Sequence, residues 1–444
     1  MERSVKVALE NPMLTKLMIT VSTFTQWNGV ATHIVPLVLA FFLGSWSDKR
    51  GRKIILLGGL LGKLYFSLMI TYITTNGNAR MPQFVPNLTI DWPLEYVIYA
   101  AAFPSALTGA DLAIFAGAFA YLADVTSAEN RTLRVGILDV VYLSTMPTGV
   151  ALGSLFYNKF VNKSFTAMFA INSSLMVIAT AYTCIFLKWQ TRPEQKSFRE
   201  AGVKNPIADF FDFKNIKQTF ITLSKKRPSN RRVFLWFLLL SMALYTFQRD
   251  LVVSDERPVM YLYTTLVFQW DATDFSNFRT FLSTAYVLCM LVGIPLMTKV
   301  LKWKDTVILM LGATAHMSGH FIYSQAKAPY MFYVGGAAAA LGPCVAPLIR
   351  SMTSKVLAPS ERGVAYAFLS VMENLVAMFA SIIYSQLYKA TLDTAHVNAI
   401  FLLTMGTQAV VFLFALIMEI MLKGKKLESI IEVEEKNINE DISL

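Results

Sequence analysis

The chain has 444 residues, of which 55% are hydrophobic, 13% aromatic and only 16% charged. Mean hydropathy is +0.48. A soluble domain carries roughly 25% charged residues, so this composition excludes a set of water-soluble domains and points to a polytopic membrane protein. The net charge of +11 does not imply a nucleic-acid partner, because most of the 40 Lys and Arg sit in short loops on one side of the apolar runs, the positive-inside bias.

Residues 1–26 mix polar and apolar side chains and lack the compact apolar stretch of a signal peptide. Apolar runs then follow at 27–46, 54–75, 94–122, 136–157, 165–189, 233–268 (interrupted), 278–301, 306–324, 330–349, 364–387 and 398–422. At roughly 20 residues per span these are about eleven transmembrane helices, since an open strand cannot satisfy its backbone in lipid. The basic loops at 48–53, 129–134, 188–232, 299–304, 355–362 and 423–426 define the cytoplasmic side. Residues 1–26 are then expected outside and the acidic tail inside.

The longest loop is basic, and 208–223 reads as an amphipathic surface helix. Two sequons, at Asn87 and Asn162, fall on outer loops, with Asn87 the preferred glycosylation site. Cys184, Cys289 and Cys344 all lie in apolar runs without metal-ligand spacing. No nucleophile, metal or cofactor motif survives inspection, so an enzyme is not expected.

The basic turn at 48–53 has a weaker echo at 301–309, and Ala128-Glu129-Asn130-Arg131-Thr132 is echoed by Ser360-Glu361-Arg362-Gly363. Two parallel halves joined by a long loop suggest a transporter made of two bundles. The expected organisation is an N-terminal bundle over 1–189, a cytoplasmic linker over 190–232, a C-terminal bundle over 233–424 and a cytoplasmic tail over 425–444.

The stretch Gly44-Ser45-Trp46-Ser47-Asp48-Lys49-Arg50-Gly51-Arg52-Lys53 fills every position of G-x-x-x-D-(R/K)-x-G-R-(R/K), and it resembles the loop motif of the major facilitator superfamily. Gly44 allows helices to approach closely, and Gly51 allows the tight turn. Asp48 suits the positive end of a neighbouring helix, and Arg52 suits a carboxylate such as Asp124.

The resemblance narrows at Ala106-Leu107-Thr108-Gly109, Ala120-Tyr121-Leu122-Ala123-Asp124-Val125-Thr126-Ser127 and Arg131-Thr132-Leu133-Arg134. It continues at Leu348-Ile349-Arg350-Ser351 and Tyr384-Ser385-Gln386-Leu387-Tyr388-Lys389-Ala390-Thr391-Leu392. These look like the proton-coupled folate transporter and thymic stromal cotransporter family, solute carrier family 46. The resemblance implies an all-α fold of two helical bundles. It also implies secondary, proton-coupled transport of a small organic anion by alternating access in a plasma or endolysosomal membrane. Its partners are protons, the anion and the lipid bilayer, with no cofactor and no nucleic acid. One helix precedes the loop motif here where the family has two, so the family's first helix is expected to be missing. A non-transporting regulator or receptor of the same family is the alternative.

Ionisable groups inside spans are functional candidates by default. Asp139 occupies the position of a family carboxylate linked to proton coupling; alternatively it pairs with Arg131 or Arg134. Arg350 matches a family arginine implicated in substrate and proton handling, and a guanidinium suits an anionic substrate; alternatively it is a cytoplasmic-end charge. Asp111 lies one position from a family carboxylate and is a second proton-coupling candidate. Glu373 is a third, or it pairs with a neighbouring helix. His316 and His320 share a helix face at a spacing that can bind metal, but no Glu follows in the zincin pattern and they read as structural; His33 reads as core or proton sensor, and Lys63 as a snorkelling side chain.

Overall fold

The computed structural model describes residues 12–76, 94–125, 128–191, 195–197, 200–203, 205–211, 230–252, 259–357, 362–392, 394, 396–423 and 427. Among them no strand occurs. The helices are α1 Pro12–Arg50, α2 Arg52–Asn76, α3 Leu94–Leu107, α4 Ala110–Val125, α5 Ala128–Leu155, α6 Phe165–Phe186 and the short α7 Pro206–Phe210. They continue with α8 Arg231–Val252, α9 Val259–Phe268, α10 Ala272–Leu288, α11 Asp305–Ser324, α12 Tyr330–Ala338, α13 Val345–Val356, α14 Arg362–Thr391 and α15 Ala399–Met421. Among the described residues, seven helical stretches are long and apolar enough to cross a membrane on their own. The helices α5, α8, α11 and α14 match them in length while carrying more polar or charged residues. The molecule is an all-α, multi-pass membrane protein.

Several boundaries differ from the sequence expectation, each for a local reason. The first apolar run starts fifteen residues earlier than its hydropathy suggests, because no Gly or Pro interrupts 13–27. Its polar groups find partners on α14 instead: Ser22 Oγ donates to Ser385 O at 3.2 Å, and Thr25 O accepts from Ser381 Oγ at 3.1 Å. The run at 94–122 is two helices, broken at Thr108–Gly109, where Gly109 has φ +79° and Ala110 φ +38°. The interrupted run at 233–268 is likewise two helices. Within 208–223 the described helix is only Pro206–Phe210; 212–229 and Asn87 lie outside the described residues.

The chain divides into two compact units, 26–216 and a second made of 1–25 with 217–444. In the first, α2 packs closely on the α3–α4 break. A Cβ built on Gly59 would lie 2.7 Å from Ala110 O, and one on Gly62 would overlap the Thr108 hydroxyl. These two glycines are what let the backbones meet. Across α2 and α6, Ser67 and Ser173 share a hydrogen bond of 2.9 Å, and Asn172 Nδ2 donates to Ser67 Oγ at 3.0 Å.

Among the described residues the second unit holds two large apolar cores, besides a small one at Met297, Ile308, Cys344 and Leu348. One is strongly aromatic and centres on Tyr263, Trp270, Phe278, Tyr323, Phe332 and Phe401. The other runs through Leu235, Leu238, Leu309, Val345, Ile349 and Val411. The helix α10 begins with a reciprocal cap, in which Asp271 accepts from the backbone of Thr273 and Asp274 while Asp274 accepts from Asp271 N–H. Helices α11 and α15 run antiparallel. Lys304 and Thr306 both donate to Glu419 at one end, the Lys304 bond being 2.7 Å. Asn398 Nδ2 donates to Ser324 O at 2.9 Å at the other.

Candidate functional site

The turn between α1 and α2 is built by Gly51, whose φ of +107° no L side chain adopts comfortably. A Cβ there would also come within 2.9 Å of Trp189 O. The turn delivers Arg52 to Asp124 at the end of α4, with Nε to Oδ2 at 3.2 Å, and the guanidinium also donates to Ser47 Oγ. Asp124 accepts a second hydrogen bond from Thr191 Oγ1 at 3.2 Å. Lys53 Nζ caps α6 by donating to the carbonyls of Cys184 and Leu187, each at 2.8 Å. The side chains of Gly44 and Asp48 positions lie outside the described residues.

A contact absent from the sequence expectation completes this end of the first unit. Asp209, on α7, takes both Arg50 Nε at 2.8 Å and Arg50 Nη2 at 2.6 Å. Trp46 Nε1 donates to the same carboxylate at 3.0 Å. Phe210 and Phe211 then pack on Phe42 and Trp46 with ring centroids 5.0–5.9 Å apart. The Arg50 hydrogen bonds hold the Asp209 carboxyl below the usual carboxylate range and raise Arg50. The linker's first stretch is thus fastened to the loop motif. The available signal was that Asp209 is one of few acids in a strongly basic segment.

Among the described residues, the pairs Lys63–Asp111 and Arg350–Glu373 lie well inside helical spans. Lys63 Nζ meets Asp111 Oδ2 at 2.6 Å, so Lys63 does not merely snorkel. An ammonium on α2 and a carboxylate in the first turn of α4 neutralise each other beside the helix break. Asp139 is on α5, and its side chain lies outside the described residues.

In the second unit, Arg350 on α13 donates through Nη2 to Glu373 Oε1 on α14 at 2.9 Å. The arginine side chain is 43% exposed and the glutamate 13%. Glu373 is therefore the enclosed member and Arg350 the one that presents charge outward. Pro343 and the short turn Gly342–Cys344 interrupt the α12–α13 run just before Val345, where the helix that carries Arg350 begins. Sequence reading treated Arg350 and Glu373 as separate candidates; the structure brings them together. Toward the helix ends, Lys355 meets Asp305 at 2.6 Å and Arg231 Nη1 donates to Lys355 O at 2.9 Å. This second charge cluster went unread.

The fold defined by these helices is that of the major facilitators. The E. coli fucose:proton symporter FucP superimposes with a TM-score of 0.56 at 12% identity, covering 93% of this chain and 95% of that one. The xylose transporter XylE from E. coli gives 0.56 at 15% identity, covering 92% and 89%. The Major Facilitator Superfamily profile matches residues 3–326, and the chain belongs to that superfamily. The relatives it resembles are solute carrier 46 proteins. It is 24% identical over 363 residues to the probable peptidoglycan muropeptide transporter SLC46 of Drosophila melanogaster, covering 81% of this chain and 66% of that protein. It is 26% identical over 371 residues to the lysosomal proton-coupled steroid conjugate and bile acid symporter SLC46A3 of Gallus gallus, covering 81% and 72%. Against the proton-coupled folate transporter of Rattus norvegicus identity is 23%, covering 86% and 76%. The chain thus spans just under two thirds of the Drosophila relative's length.

Proposed function

We propose that the chain is a proton-coupled transporter of a small organic anion, and that the Arg350–Glu373 pair is where anion and proton meet. The observation that carries this reading is the 2.9 Å contact between a half-exposed guanidinium and an enclosed carboxylate inside the helical layer. Glu373 is a built-in competitor for Arg350. While it is ionised, it occupies the guanidinium that an incoming carboxylate would need. A proton on Glu373 removes that competition, and the substrate's carboxylate takes the vacated hydrogen bond. The charge balance is one proton for one anionic charge, so the loaded site carries no more net charge than the resting one. A buried net charge is costly to move through lipid, which makes the neutral exchange the permitted one.

The names of the relatives support this substrate chemistry, since folate, bile acids and muropeptides all present a carboxylate on a larger organic body. Asp139 and the Lys63–Asp111 pair supply further proton-coupling carboxylates in the first unit, Asp139 on the strength of the resemblance. The loop motif, with Arg52 on Asp124, gates the cytoplasmic end. The two repeats alternate access to the site. The membrane is the plasma or endolysosomal membrane.

The test is Glu373→Gln in proteoliposomes, with a labelled carboxylate substrate such as a folate or a conjugated bile acid. Exchange of substrate across the membrane should persist, while accumulation driven by a pH gradient disappears. The intact protein should accumulate about tenfold per pH unit at one proton per anion, because one unit of gradient supplies about 1.4 kcal/mol. Unchanged gradient-driven accumulation in Glu373→Gln would remove the pair from the coupling mechanism.

A further inference from the structure

Midway along α11, a group of polar side chains is sealed between the two apolar cores of the second unit. His316, His320, Tyr323 and Gln408 have no more than 0% exposure, and Tyr286 has 8%. The imidazole of His316 lies between Tyr245 on α8, at a centroid distance of 5.8 Å, and Tyr286 on α10, at 6.4 Å. The His320 ring lies 6.1 Å from that of His316 and 5.5 Å from that of Tyr323, centroid to centroid. On the fourth side the chain passes as Gly342, where any Cβ would overlap the His316 ring.

The hydrogen-bond inventory of this group does not close within the protein. His320 Nδ1 bonds His316 O at 2.8 Å, which fixes the tautomer and leaves Nε2 as an acceptor. Among the described residues that Nε2 meets no hydrogen-bonding group, and the same is true of both Gln408 side-chain atoms and the hydroxyls of Tyr286 and Tyr323, while the His316 ring has the Gly342 backbone as its one polar neighbour and keeps a second nitrogen unmet. The α11–α15 register, set by Thr306 on Glu419 and Ser324 on Asn398, puts Gln408 level with Ala315 and His316. The unmet atoms are of both kinds: donors on Gln408 and the phenols, acceptors on His320 and Gln408. Buried polar atoms in folded proteins are hydrogen-bonded, and a polar group left unmet this far from solvent strongly disfavours the fold. Such a mixture cannot be met by an ion of one sign. It suits a molecule with two donors and two acceptors, small enough to lie between close-packed rings.

We propose that His316, His320, Tyr286, Tyr323 and Gln408 bind a cluster of ordered water molecules inside the second unit, joining α10, α11 and α15 through bridged hydrogen bonds. The site is distinct from the Arg350–Glu373 pair and independent of the transport reading. It makes His316 a structural ligand of water rather than a metal ligand or a plain core residue.

Radiolytic footprinting of the protein in lipid nanodiscs, in oxygen-18 water, tests this directly, because hydroxyl radicals formed from bound water oxidise the side chains that touch it. His316 and Tyr323 should label about tenfold faster than Phe278 and Phe332, which are as deeply buried but apolar, and the slightly more exposed Tyr286 should label with them. The double variant His316→Leu with Gln408→Leu should lower labelling of Tyr286 while sparing Phe278. Labelling of Tyr286 and His316 at the rate of Phe278 and Phe332 in the unaltered protein would overturn the proposal, whatever the variant does.

Discussion

Asp209→Ala should release the linker from the loop motif. The carboxylate accepts three hydrogen bonds, two from Arg50 at 2.6 and 2.8 Å and one from Trp46 at 3.0 Å. The pair is largely enclosed, with side-chain exposures of 10% for Arg50 and 19% for Asp209. Hydrogen bonds to charged groups contribute about 1.5–3 kcal/mol each in net terms, and a mostly buried guanidinium that loses its carboxylate and keeps only neutral partners such as Lys196 O adds a desolvation cost. Part of that is recovered when water reaches Arg50, so the docked state should weaken by about 3 kcal/mol, equivalent to roughly a hundredfold in the opening equilibrium. Hydrogen–deuterium exchange of the peptide spanning 195–211 reads that equilibrium, and its protected amides should exchange about a hundredfold faster in the variant. In the unaltered protein the same peptide should be insensitive to pH over the working range of an endolysosomal membrane. The folded carboxyl titrates below its unfolded value of about 3.9, so its contribution is complete above roughly pH 5 and fades only as pH falls through the lowered folded value. Exchange within about twofold of the unaltered protein in Asp209→Ala would refute the reasoning, since the contact would then hold nothing that solvent does not replace.

Two glycine substitutions should move stability in opposite directions. Gly62→Ala drives a methyl into Thr108 and should cost about 1–3 kcal/mol. Gly149→Ala, with nothing within 4 Å, should raise stability by about 0.5–1 kcal/mol through helix propensity. Thermal unfolding in nanodiscs separates them, and a lower Tm for both would mean that Gly149 packs against something besides lipid. Lys63→Met alone should reduce abundance, because it strands Asp111 in the span, and Lys63→Met with Asp111→Asn should restore it. Equal abundance of the single and double variants, read by fluorescence-detected chromatography, would show that the two groups do not depend on each other. Arg350→Lys should bind the anion at least about tenfold more weakly than the unaltered protein, since an ammonium cannot reproduce the guanidinium fork.

How much of this was readable beforehand follows from the range of each interaction along the chain. Helices declare themselves locally, because twenty apolar residues in lipid leave the backbone no alternative. Gly51 and Arg52 were legible for the same reason: a tight turn and a guanidinium stand next to each other in a filled motif. Where hydropathy was the guide to ends it failed, since 15–26 is helical although polar, its Ser22 hydroxyl and Thr25 carbonyl bonding α14 more than 350 residues away. Arg50 and Asp209 are 159 residues apart, and nothing periodic in either neighbourhood announces the other. Arg350 and Glu373 are only 23 apart, yet they sit on different helices, so spacing could nominate each without joining them. Lys63 looked like an interfacial side chain because its partner is on a helix whose break at Gly109 redirects it. The histidines shared a face as helical spacing requires, but their sealed surroundings come from α8, α10 and α15 and have no signature within α11.

The closeness of α2 to the α3–α4 break also bears on how this chain can drift. At positions 59 and 62 the only tolerated side chain is a hydrogen atom, because Ala110 O and the Thr108 hydroxyl already occupy the space where a methyl would go. At 62 the obstacle is a side-chain hydroxyl, so a methyl there has to wait until Thr108 gives that hydroxyl up. At 59 it is a backbone carbonyl, which every residue carries, so no exchange at 110 opens the gap and that glycine has no route by which to drift.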